Sequence, residues 1–164
     1  MTGGLLALDG ALGGQLSQLR AAGAFRAQPM ETLLVTSPPA GVAARAVLVI
    51  GLGDPALLEG DVLRRATRVA MREAVRFGAA SMAFAPSVLD AGHTDNAPLD
   101  MQHVMLDGML GALRAEHMLA GAGLAAAPVL RHCSFDVGAP RAQAAGLAFA
   151  AAFARLAGAG MPPA

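Results

Sequence analysis

The turn Gly51-Leu52-Gly53-Asp54 is the first place in this chain where residue types and spacing suggest chemistry. It follows the apolar run Val47 to Ile50 and precedes a helical pattern. Backbone N–H groups at a helix N-terminus can hold an anion. Open α/β sheets place their ligands at the carboxyl ends of strands, which is where this turn falls. These four residues are the candidate ligand crevice. Three features oppose a phosphate there. A dinucleotide fingerprint needs a third glycine, and Ala56 stands in its place. Pro55 lacks an N–H, and the Asp54 carboxylate repels phosphate.

Other groupings are weaker. His93, Asp95, Asp100 and His103 are metal-ligand types, but no pair has the spacing of a helical zinc motif. They read as a polar loop followed by a helix capped by Asp100. Arg64, Arg68, Arg72 and Arg76 recur every four residues, a row that reads as a solvated helix face. Met101, Val104, Met105, Met109 and Leu113 form a core stripe, with His103, Asp107, Arg114 and His117 on the polar side. His132 adjoins Cys133, yet strand neighbours point to opposite faces. Cys133 is therefore expected to be buried and inert. No catalytic residue, metal site or cofactor follows from these groupings.

Composition narrows the classes further. The 164 residues suffice for one domain, read here as residues 1–158 with a tail over 159–164. Net formal charge is zero, so the long-range field of a nucleic-acid or anionic-membrane binder is missing. All twelve basic residues are arginine, which excludes lysine bases, Schiff bases and the lysine phosphate loop. One cysteine excludes an intramolecular disulfide. The start lacks a basic region and Asp9 breaks its apolar run, unlike a signal peptide. The uncharged runs are too short for a bilayer. A bacterial cytoplasm is the expected location.

The elements that would position these residues alternate between strand and helix, with one strand pair before the central helix. Leu5–Leu8 reads as a strand, and residues 13–25 as a helix carrying Leu16 and Leu19. Strands are expected at 31–37, closed by Pro38, and at 45–50, buried on both faces as in a parallel sheet. Helices are expected over 61–79, 101–121 and 140–158, with further strands at 81–88 and 127–138. The pattern predicts an α/β fold, a three-layer α/β/α sandwich with a mixed, mostly parallel sheet.

Residues 46–79, with strand, Gly-Leu-Gly turn and arginine-containing helix, resemble the amino-terminal domain of the cytosolic leucine aminopeptidase family. Leu106–Arg114 and Pro140–Gly158 are similar to later segments of that domain. The resemblance implies a macro-domain-like fold and a non-catalytic role, since the family's metal ligands lie in its carboxy-terminal domain. The family's Asn-Thr-Asp-Ala-Glu-Gly-Arg run is missing from this sequence. The expectation is a stand-alone homologue acting in assembly, regulation or ligand binding, as a homo-oligomer or with a separate peptidase-related protein. The alternative is a macro-domain-like binder or hydrolase of a nucleotide derivative such as ADP-ribose, although the loop motifs of such binders are missing.

Overall fold

The structure, a computed structural model, describes residues 3–86 and 100–158. The chain divides into two compact units. Among the described residues, one comprises residues 3–58 and the other residues 59–86 and 100–158. The described residues form five α-helices and two small sheets, one of them parallel, so the α/β class holds.

The first unit begins with α1, Gly3–Ala11, and α2, Gln15–Ala21. The expected strand at Leu5–Leu8 is thus helical. A four-residue apolar run fits either state. Here Leu8, Leu12 and Leu16 recur every four residues, and Leu12 and Leu16 are buried. Gly13 and Gly14 take positive φ between the helices. Asp9 spans that turn. Its carboxylate accepts from Leu16 N–H at 2.8 Å, Ser17 N–H at 3.2 Å and the Ser17 hydroxyl at 2.5 Å. The Ser17 hydroxyl chiefly holds the Asp9 carboxyl below its ordinary value.

β1, Thr32–Val35, and β2, Val47–Ile50, pair antiparallel, with Thr32 opposite Ile50 and Val35 opposite Val47. The parallel-type burial expected for Val47–Ile50 is not found, and all four residues are half-buried. The connection over residues 36–46 contains no helix to carry a parallel crossover, so the chain turns back on itself.

The second unit starts with α3, Gly60–Arg76, whose inner stripe is Leu63, Ala66, Thr67, Ala70 and Met71. β3, Ser81–Phe84, and β4, His132–Phe135, pair in parallel, with Ser81 opposite His132. Between them α4, Met101–Gly121, makes the crossover. Gly108 of α4 meets Arg64 and Thr67, Gly111 meets Arg68, and Glu116 meets Arg72. Both series ascend together, so α3 and α4 run in the same direction. Met71, Met109 and Ala112 form the buried centre, with Val75, Met82, Phe84, Leu113, Leu130 and Phe135 packed around it. α5, Ala142–Gly158, stacks Phe149 on Phe135 with ring centroids 4.1 Å apart. Arg155 of α5 pairs with Asp100, and Asp100 also accepts from His103 N–H at 3.0 Å, the expected helix cap. Pro140 lies in a 3-10 turn, Ala139–Arg141, leading into α5.

Candidate functional site

The turn Gly51–Asp54 leaves β2 and enters a 3-10 turn, Pro55–Leu57. It is filled by its own chain. Gly51 N–H donates to Glu31 C=O at 2.8 Å, and Gly53 N–H donates to Ala27 C=O at 3.0 Å. Ala56 N–H donates to the Asp54 carboxylate at 2.9 Å. These donors would face an anion in a phosphate cradle, and here protein oxygens hold them. The packing is equally close. A Cβ on Gly51 would lie 2.2 Å from the Gln28 carbonyl oxygen. Gly53 has φ 81° and would press a Cβ to 2.8 Å from Pro29 Cγ. The two glycines therefore answer to the Ala27–Pro29 segment, Gly51 to its backbone and Gly53 to the Pro29 ring. Leu52 is half-buried and Asp54 exposed.

The facing loop was not legible in the sequence. Arg26 N–H reaches the Glu31 carboxylate at 2.9 and 3.2 Å, and Gln28 N–H reaches it at 2.9 Å. Ala27 and Met30 both take positive φ, 58° and 68°. L-residues other than asparagine and aspartate seldom adopt that region, and nothing in "AQPM" announces it.

The arginine row is less solvated than expected. Arg64, Arg68 and Arg72 are half-buried beside α4, and only Arg76 is exposed. The reason is the close approach at Gly108 and Gly111, which brings α4 over this edge of α3. Arg64 pairs with Asp61, Arg76 with Glu73 at 2.8 Å, and Arg72 lies 3.9 Å from Glu116. The Arg68 Nε is buried without a hydrogen-bond partner, as is His103 Nδ1. Met105 and Met109 are buried as the stripe predicts, and Met101 is half-buried.

Cys133 differs from expectation. The residue is exposed rather than buried, as are His132 and Ser134, and only Phe135 of β4 is half-buried. The thiol itself folds back and donates to Met109 Sδ at 3.7 Å. That partial cover pushes its pKa above the ordinary value. His132 is exposed beside it.

His93 and Asp95 lie outside the described residues, so the loop grouping is not assembled here. Among the described residues, no three His, Cys, Asp or Glu side chains converge as a metal site. No helix among them is long and apolar enough to cross a membrane.

Comparison with known proteins agrees with the strand-turn-helix reading. The cytosol aminopeptidase family, N-terminal domain, matches residues 2–99. The segments 106–114 and 140–158, which also resembled that domain, lie beyond the matched range. A probable cytosol aminopeptidase of Acidobacterium capsulatum is 40% identical over 70 residues, covering 43% of this chain and 14% of that protein. The chain thus spans a small part of the curated relative it matches. It belongs to the cytosol aminopeptidase family and carries that family's N-terminal domain.

Proposed function

We propose that this chain serves the cytosol aminopeptidase family as a non-catalytic module, acting in assembly through contact with a second copy or with a separate peptidase-related chain in the cytoplasm. The observation that carries this reading is the filled turn at Gly51–Asp54. Its Gly51, Gly53 and Ala56 donors are spent on internal acceptors. The turn then works as a rigid joint between β2 and the 3-10 turn Pro55–Leu57. An internal joint of this kind holds a surface in place rather than gripping a small ligand.

Exposed apolar side chains point the same way. On α5, Leu147 is 71% exposed and Phe153 45% exposed. Met118 and Leu119, at the end of α4, are also exposed. Apolar surface of this kind is suited to protein contact.

Light scattering of the purified protein across a micromolar concentration series tests the assembly reading. Self-assembly predicts a mass that is a multiple of 16.4 kDa. A monomeric mass at every concentration, together with no retention of a peptidase-related partner from the native cell, would remove it.

A further inference from the structure

The loop Arg26–Glu31 carries a feature that neither the turn nor the family explains. Arg26 N–H and Gln28 N–H converge on one carboxylate, with left-handed Ala27 between them. Successive N–H groups arranged around such a residue form a concave nest that binds anions. The occupant is the carboxylate of Glu31, from the same loop. Both N–H groups reach Glu31 Oε2 at 2.9 Å, and Arg26 N–H also reaches Oε1 at 3.2 Å. Charge-assisted hydrogen bonds of this kind are stronger than neutral ones. The nest lies at an exposed position, open to solvent.

Glu31 also touches the Gly51–Asp54 turn from its other end. Its backbone carbonyl accepts from Gly51 N–H, and the Ala27 carbonyl accepts from Gly53 N–H. The two residues that shape the nest are therefore the two that hold the turn.

We propose that the Arg26–Gln28 backbone is a carboxylate-binding site whose tethered ligand is Glu31, so that a free carboxylate takes the vacated place once that side chain is shortened. The same occupancy steadies the Gly51–Asp54 turn.

The test uses the full chain and acetate as the probe. In Glu31→Ala the thermal midpoint falls by a few degrees. Sodium acetate raises it again, by more than sodium chloride at equal ionic strength and more than neutral acetamide. Acetate gives the wild-type protein no advantage over chloride, because its nest is filled. Equal effects of acetate and chloride on Glu31→Ala, or an equal acetate effect on wild type, would overturn the proposal. If Glu31→Ala does not fold, Glu31→Ser also shortens the side chain and empties the nest while keeping a polar group at the position. Acetate should then move the Arg26 and Gln28 amide resonances of that variant along a saturating curve. Resonances that stay still also overturn the proposal.

Discussion

Gly108 of α4 sits directly on Thr67 of α3. A Cβ built there would lie 2.3 Å from Thr67 Oγ1 and 2.3 Å from the Arg64 carbonyl oxygen. Thr67 is fully buried and spends its hydroxyl on that same Arg64 carbonyl at 2.9 Å. The contact sets how closely the two parallel helices approach. Gly108→Ala should lower stability by about 1–3 kcal/mol through overpacking. Gly146 of α5 meets nothing within 4 Å, so Gly146→Ala should raise stability by about 0.5–1 kcal/mol through helix propensity. Denaturant unfolding of the two variants checks both signs. A neutral Gly108→Ala would mean that the helices are further apart than described.

The turn makes a parallel prediction in the first unit. Gly51→Ala forces a methyl group against the Gln28 carbonyl and should cost about 1–3 kcal/mol. Gly53→Ala adds the cost of a left-handed L-residue, about 1–2 kcal/mol. Urea midpoints report both. A stable, unchanged Gly51→Ala would show that the turn stands clear of residues 27–29, reopening it as a crevice.

Asp9 predicts an acid response. Its carboxyl is held below the ordinary value of 3.8, mainly by the Ser17 hydroxyl. A lowered folded-state pKa means that the ionised form is preferred in the fold. The contribution is therefore complete above the ordinary value and is lost as pH falls through the lowered one. Thermal midpoints measured from pH 6 down to pH 2 should fall more steeply for wild type than for Asp9→Asn below 3.8. Parallel curves would remove Asp9 from the account.

Cys133 predicts a basic response of opposite sense. Partial cover raises its thiol above the ordinary 9.0, so the neutral form is preferred in the fold. Its contribution is present below 9.0 and fades as pH rises through the raised value. Iodoacetamide should alkylate the folded chain more slowly than the urea-unfolded chain at pH 8, with a rate profile shifted to higher pH. Faster alkylation of the folded protein would mark an activated thiol instead.

The sequence made α3 and α4 readable because their apolar positions keep a period near 3.6 over four turns or more, and Asp100 and Gly121 punctuate α4. β3 and β4 were readable as short apolar runs beside glycine and proline. Leu5–Leu8 was not, since four apolar residues carry no period: the spacing shows only when Leu12 and Leu16 beyond α1 are counted, and Asp9 caps the next helix, α2. The partner of β2 was hidden for a related reason. Val47–Ile50 reads alike in parallel and antiparallel ladders, and only the helix-free connection decides. At the candidate site, Gly51 and Gly53 declared the turn, but Ala27 and Met30 did not declare the left-handed loop that fills it. Cys133 was misjudged because alternation predicts which face a side chain takes and not how much protein lies over that face.

The central claim, that this chain is a non-catalytic module of an aminopeptidase family, is tested most directly by peptide hydrolysis. Purified protein is incubated with a leucyl chromogenic substrate and added manganese or zinc, at micromolar enzyme and over hours. The account predicts a rate no higher than the metal-only blank. Saturable release of product that follows protein concentration, and that is lost on heat unfolding, would contradict it.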